Sequence, residues 1–308
     1  MVNGNDDFIL LRFVPTMRCN FRCPYCFLRH SNSAEPTMFD KFSVEKWLNG
    51  IYNFSNYNIE IYLWGGEPFC IPETFELIFE LEKMKNINAI RIDTNMSFSK
   101  KIIRKCPSEK LRLNCSWHTK YFSYAAIRER AIELSKYNMI SMLNFVASDE
   151  NMAYLAREGL NLDRIIVDFA DLGIYMNVAA DFAKGAGDEY RTFITKYVDP
   201  DDWAHIHGVY PPNNVPCKAG EAFFTVNHDG TLTSCARKSE VIGNLFEGSL
   251  NRKSTRCPNG ACPSIISYAF REDTPYMFRD HLFDYSRRNI LYRRRNGLYT
   301  DRHFPNVN

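Results

Sequence analysis

No stretch of this 308-residue chain is apolar for the ~20 residues that a membrane-spanning helix requires; the run from Phe8 to Val14 is already broken by Arg12. The first residues, Met1 to Asp7, lack the basic and apolar regions of a secretory signal. An excess of either charge is also missing. The 38 Lys and Arg stand against 36 Asp and Glu, a net +2, so no overall field points to nucleic acid or to a membrane surface. What remains is the composition of an ordinary globular protein, 45% hydrophobic and 24% charged. Ten cysteines without an export signal favour metal ligation over disulfides and predict a reducing, cytoplasmic setting.

Three of those cysteines, Cys19, Cys23 and Cys26, fall within eight residues, directly after the strand-like Phe8–Val14. A loop leaving a strand end can wrap three thiolates around one metal centre, and iron–sulfur clusters are held by such thiolates. Three ligands leave one iron of a four-iron cubane open for a non-protein ligand, as catalytic metal sites keep an open position. Half of a structural zinc site is the alternative, but closed zinc sites take four ligands, usually in paired units, and no partner pair lies nearby. A second signal follows the strand-like Ile59–Leu63: the turn Trp64-Gly65-Gly66-Glu67-Pro68. Alone it is weak, because Gly and Pro punctuate any loop.

Together, the C-x₃-C-x₂-C loop with Tyr25 before its third cysteine and the Gly-Gly-Glu-Pro turn at the next strand end resemble the radical S-adenosylmethionine (SAM) enzymes. The resemblance implies an α/β fold, a partial, open (β/α)₆ TIM-like barrel whose active site lies at the carboxyl ends of its strands. The chain suits this. Strand-like Phe8–Val14, Ile59–Leu63, Ala89–Asp93, Leu111–Ser116, Ile140–Ala147 and Ile174–Ala179 alternate with amphipathic stretches. Ser43 reads as an N-cap for a helix over 44–54, Pro72 as the first residue of a helix to about Lys85, and Tyr124–Tyr137 as a third. Leu162–Leu172 suits either a helix or a strand, and its apolar spacing favours helix. The third strand closes with Asp93-Thr94-Asn95-Met96, similar to a Thr-Asn-Gly of the family with Met in place of Gly.

By family likeness Cys19, Cys23 and Cys26 are expected to hold the cluster. Tyr25, Gly65, Gly66, Glu67, Asn95, Ser116 and Asn144 are expected to contact SAM. For the strand-end residues the competing reading is a polar side chain that satisfies loop amides. His118 reads as a solvated or hydrogen-bonded histidine. Cys70 and Cys115 lie beside strand ends, where a thiol could quench a substrate radical; Cys106 reads as a small buried residue.

Past about residue 205 the composition changes, with a Pro- and Asn-rich stretch from Gly208 to Pro216, so residues 1–204 are expected to form the barrel and 205–308 an appended domain. In the second part Phe223–Val226 and Thr231–Cys235 flank an Asp-Gly turn, a β-hairpin that brings Cys235 back toward Cys217. Cys257 and Cys262 follow in a Cys-Pro-Asn-Gly-Ala-Cys turn. Cys217, then Gly230 and Cys235 in a G-x₄-C spacing, resemble the SPASM/Twitch extension of radical SAM enzymes. With four cysteines the Twitch form, a β-hairpin plus helix with one auxiliary four-iron cluster, fits better than full SPASM; Cys₄ zinc is the alternative. The Arg-rich end, Arg271 to Arg302, reads as a solvated tail.

The resemblance implies a radical SAM oxidoreductase or epimerase: SAM is cleaved reductively to a 5′-deoxyadenosyl radical, which takes hydrogen from an unactivated C–H of the substrate. An electron donor such as flavodoxin or ferredoxin is the expected partner. Because the chain begins almost at its first strand, a small molecule (sugar, nucleoside or aminocyclitol) is favoured as substrate. A peptide maturase with a separate leader-binding partner is the alternative. A metal-stabilised nucleic-acid-binding protein is the alternative of another class, and nucleic acid is disfavoured as a partner.

Overall fold

Strand alternation decides which face of the sheet each residue serves. In β1 (Phe8–Phe13) Ile9, Leu11 and Phe13 share one face, and Phe13 meets Trp47 of α1 (Val44–Tyr52) edge-on at 5.9 Å. The same face continues through Ile59, Ile61 and Leu63 of β2 (Asn58–Leu63), Ile90 and Ile92 of β3 (Ile87–Thr94), Leu113, Cys115 and Trp117 of β4 (Leu111–Trp117) and Leu143 and Phe145 of β5 (Ile140–Val146). All are buried beneath the helices. Trp117, for example, packs on Tyr124 of α4 (Tyr124–Ser135) and Tyr154 of α5 (Asp149–Arg157). The opposite face is polar: Arg12, Tyr62, Asp93, Asn114, Ser116, Asn144 and, on β6 (Met176–Ala179), Asn177.

β1 to β6 pair in parallel in chain order, with α2 (Pro72–Lys83), α3 (Ser99–Lys105) and α6 (Leu162–Asp171) completing the crossovers. This is a partial (β/α)₆ barrel, as the family resemblance implies and the alternation of segments suits. Helix starts are set by side chains: Ser43, Ser123, Ser148 and Asn161 each accept from the amide three residues on, worth about 1 kcal/mol apiece. Leu162–Asp171 is the helix its spacing favours. Two short helices follow, α7 (Asp188–Ile194) and α8 (Pro200–Ile206).

The computed structural model describes residues 8–26, 28, 35–181, 187–206, 216–235, 238–253, 255–256, 278–279 and 282–307. Beyond α8, β7 (Pro216–Cys217) precedes β8 (Phe223–Val226), which returns to the barrel and pairs in parallel with β1, Arg12 opposite Thr225. β9 (Thr231–Cys235), β10 (Lys238–Asn244) and β11 (Ser249–Leu250) extend the sheet antiparallel, giving the order β11-β10-β9-β8-β1-β2-β3-β4-β5-β6. The expected hairpin is therefore present, and it prolongs the barrel sheet across the composition change near residue 205.

The Arg-rich end corrects the sequence reading. Asp284–Arg295 is a helix, and Arg293 is fully buried, donating to the carbonyls of Tyr197 and Met176 and to the Tyr299 hydroxyl. Arg288 pairs with Asp202 of α8 at 2.9 Å. These arginines anchor the end of the chain to the barrel because three acceptors and a carboxylate meet them there.

Candidate cofactor site at the strand ends

Two loops at the carboxyl ends of β1 and β2 are fastened to each other through the backbone. The Gly66 amide donates to Thr16 O at 2.9 Å and the Glu67 amide to Arg18 O at 2.8 Å. Contact this close requires both glycines. A Cβ on Gly65, whose φ is +132°, would fall 2.5 Å from Thr16 O, and one on Gly66 would fall 2.1 Å from Arg18 O. The segment leading into the cysteine loop and the Gly-Gly-Glu-Pro turn are thus one structural unit.

Glu67 ties that unit to the third strand. Its buried carboxylate accepts from the Asn95 amide at 2.7 Å, the Thr94 hydroxyl at 3.0 Å and the Phe69 amide at 3.2 Å. Burial pushes its pKa up to about 7 against the pull of those donors. Asn95, so held, donates from Nδ2 to Asn20 Oδ1 at 2.8 Å and lies 3.8 Å from Cys19 Sγ. Thr94 and Asn95 precede Met96, which takes a left-handed φ of +62° while fully buried, in the place where glycine would sit without strain.

The other wall of the cysteine loop comes from the fourth strand end. His118 Nδ1 lies 2.8 Å from the Tyr25 hydroxyl and 3.3 Å from Cys23 Sγ, and burial lowers its pKa to about 4, so the ring is neutral. Phe21 stacks on Tyr121 at 3.8 Å, and the Tyr121 hydroxyl accepts from the Arg22 amide. No sequence spacing marks Tyr121 or Thr16. The expectation of a hydrogen-bonded His118 is met, and its partners lie in the cysteine loop.

The donor set suits an iron–sulfur cluster. Cys23 lies within electrostatic range of both Cys19 and Cys26. The amide of Phe21 donates to Cys19 Sγ at 3.4 Å, the type of N–H···S contact that tunes such thiolates. Burial raises the Cys19 thiol and pushes Cys23 up to about 12, so ligation must release their protons to the metal's charge. Among the described residues no three His, Cys, Asp or Glu side chains meet closely enough to hold one metal ion. In a cubane each thiolate binds a different iron, so the three thiols need not converge on one ion.

Of the remaining candidates, Ser116 and Asn144 are half-buried neighbours on the polar face, in register with Asn177, which donates to Asn144 Oδ1 at 2.9 Å. Cys115 is fully buried on the helix-covered face, between Leu113 and Trp117, so it is withdrawn as a hydrogen donor to substrate. Cys70 is half-buried near the cysteine loop, its thiol pushed up to about 11 by burial. Cys106 is buried, as expected. Of the auxiliary cysteines, Cys217 is buried on β7 opposite Thr255 and accepts from the Ala219 amide, and Cys235 is half-buried at the end of β9. Cys257 and Cys262 lie outside the described residues.

Residues 13–119 match the model of the Radical SAM superfamily. Over these residues the chain is similar to a radical SAM domain. Over 116 residues it is 30% identical to GTP 3′,8-cyclase of Lactiplantibacillus plantarum, covering 37% of this chain and 34% of the cyclase. Over 86 residues it is 31% identical to Molybdenum cofactor biosynthesis protein 1 of Bos taurus, covering 28% of this chain and 13% of that protein. The chain thus spans about a third or less of the curated relatives it matches. Native anSMEcpe with bound AdoMet shares the fold at a TM-score of 0.51 and 17% identity, with 78% of each chain covered. From the similarity to a radical SAM domain a SAM-binding four-iron cluster is expected. Among the described residues no helix is long and apolar enough to cross a membrane.

Proposed function

We propose that the protein is a radical SAM enzyme that cleaves SAM reductively and takes hydrogen from an unactivated C–H of a small polar molecule, a sugar, nucleoside or aminocyclitol, which it oxidises or epimerises. The observation that carries the reading is the fastening of the Gly-Gly-Glu-Pro turn onto the cysteine loop, through Gly66 and Glu67 amides on Thr16 and Arg18 carbonyls. Cys19, Cys23 and Cys26 would hold the four-iron cluster. When bound, cluster and SAM supply the electron and the hydrogen-abstracting group. The chain supplies position: Glu67 fixes Thr94 and Asn95 beside Cys19, and neutral His118 braces Tyr25 and Cys23.

Tyr25, Gly65, Gly66, Glu67, Asn95, Ser116 and Asn144 are the residues assigned to SAM, the two glycines chiefly by letting the loops close. Cys217, Cys235, Cys257 and Cys262 are assigned to an auxiliary four-iron cluster of Twitch type in residues 205–308, fed by a flavodoxin or ferredoxin. Cys70, half-buried near the cysteine loop, is the thiol assigned to return hydrogen in an epimerisation. A small substrate is favoured over a peptide by the polar inner wall of the barrel, and the name of the cyclase relative supports a nucleoside within that class. Burial of Arg293 speaks against an Arg-rich nucleic-acid surface.

The test is anaerobic reconstitution followed by dithionite and SAM. Release of 5′-deoxyadenosine, abolished in a Cys19/Cys23/Cys26→Ala variant, is expected. A chain that takes up iron but leaves SAM intact would sink the assignment.

A further inference from the structure

The barrel's inner wall carries a cation that makes no hydrogen bond or ion pair among the described residues. Arg12 stands on β1, one residue before the strand ends and seven before Cys19, on the face turned away from the helices. It is 6% exposed, yet its guanidinium makes no hydrogen bond or ion pair among the described residues, and its Nε is buried without an acceptor. Its close contact is the ring of Trp64, 4.2 Å from centroid to guanidinium carbon, in the Trp-Gly-Gly-Glu-Pro turn itself. Asp93 and Cys235 lie within electrostatic range of it, but neither accepts a hydrogen bond from it, so its buried Nε gives up water without an acceptor in exchange. The Trp64 ring face attracts the cation but offers its N–H groups no acceptor.

The orphan groups around it belong to the same wall. Thr225 lies directly across from Arg12 on β8 with a buried hydroxyl that has no partner, and the Trp64 indole N–H is likewise unpaired. Farther round the wall, Asn114 Oδ1 and Asn177 Oδ1 are buried acceptors with no donor. Asp93, which accepts from the Tyr62 hydroxyl at 2.6 Å and Asn114 Nδ2 at 2.9 Å, lies within electrostatic range of Arg12 without accepting a hydrogen bond from it. The set is one cation with two neutral donors beside it, then two acceptors on the strands beyond. Buried polar groups in folded proteins are paired as a rule, and five unpaired on one face describe a ligand-shaped deficit.

We propose that Arg12, with Trp64 and Thr225, anchors an oxyanion, phosphate or carboxylate, of the substrate, while Asn114 and Asn177 accept from its hydroxyl or amino groups. This rests on the reading of the chain as a radical SAM enzyme acting on a small polar molecule and narrows that class to an anionic one. The anchor sits at the foot of the cysteine loop, so the far end of the molecule is placed toward the SAM contacts.

The probes are pairs of compounds that differ only by the anion: ribose 5-phosphate against ribose, guanosine 5′-monophosphate against guanosine, and gluconate against glucose. Binding to the reconstituted full chain with SAM present is read from intrinsic tryptophan emission, with a Trp64→Phe chain identifying the Trp64 signal. At least one anion is expected to bind tenfold or more tightly than its neutral partner, and Arg12→Met to remove that preference while Arg12→Lys keeps part of it. Whether the phosphate or the gluconate pair responds names the source of the oxyanion. Equal binding of charged and neutral members, or no saturable binding in any pair, overturns the proposal. So does an Arg12→Met chain that loses iron instead of anion preference, since Cys235 lies within electrostatic range of Arg12 and the cation would then serve that thiol. Release of 5′-deoxyadenosine by the wild-type chain is measured on the same samples. If it fails while anion preference stands, the enzymatic reading falls and the anchor does not.

Discussion

Glu67 is the residue on which the two halves of the candidate site depend, and its protonation is a property of the apoprotein that can be measured. Burial holds its folded pKa at about 7, above its ordinary 4.5. A carboxyl raised on folding binds more protons in the native than in the unfolded chain between those two values. Stability is therefore fully present below about 4.5 and is lost as pH rises through about 7. The upper bound is about 3 kcal/mol, from ~1.4 kcal/mol for each pKa step over a shift that already includes the pull of the three donors. Urea unfolding of the apoprotein from pH 5 to 8 should show stability falling across this window, with the slope flattened in Glu67→Gln. A slope that is the same in both chains would place the proton elsewhere. The neighbouring glycine gives a second test at this scale. Gly66→Ala sets a Cβ against the carbonyl of Arg18, backbone against backbone. It should cost about 1–3 kcal/mol, as overpacking does, and reduce the iron taken up, because the yielding partner is the segment entering the cysteine loop. Iron retained at the wild-type level with lowered urea resistance would separate the turn from the cluster.

At the scale of elements, the C-terminal helix Asp284–Arg295 is held by its buried arginine. Arg293→Met keeps the length of the side chain but strands two backbone carbonyls and the Tyr299 hydroxyl. Each buried group left unsatisfied costs about 1–3 kcal/mol, so a loss of at least ~3 kcal/mol is expected in urea unfolding. A change under 1 kcal/mol would mean that the helix is dispensable to the barrel. This helix is also where the sequence was least legible. Arg293-Arg294-Arg295 reads as solvated because charge runs usually are, and nothing local announces the acceptors that Tyr197 and Met176 present from 96 and 117 residues away; the pairing is purely tertiary. The six barrel strands and Leu162–Asp171, by contrast, follow from apolar spacing, since one face of each is buried by helices. Cys115 shows the same rule applied too loosely: alternation already set it with Leu113 and Trp117, away from Ser116. Arg12 was visible only as a break in an apolar run. A charge inside an otherwise buried strand was the signal, and its meaning needed the unpaired guanidinium.

At the scale of the whole molecule, the sheet does not stop where the composition changes. β8 pairs with β1 beside the cysteine loop, so the strand that leads to Cys235 is built onto the barrel's first strand. A group bound at Cys235 is therefore coupled to the first site through the backbone hydrogen bonds of β9, β8 and β1, whatever metal it contains. Iron, sulfide and zinc counts distinguish the possibilities. For two four-iron clusters, the reconstituted wild-type chain should hold about eight irons and the Cys19/Cys23/Cys26→Ala chain about four. About four irons and one zinc, with the iron lost in the variant, would leave the SAM site intact and make the later cysteines structural. The parallel pairing then predicts a further result: Cys217→Ser with Cys235→Ser should lower iron uptake at the first loop as well, since loosening β8 and β9 loosens the edge on which β1 rests. Unchanged occupancy of the first site in that chain would show that the barrel holds its cysteine loop without the extension.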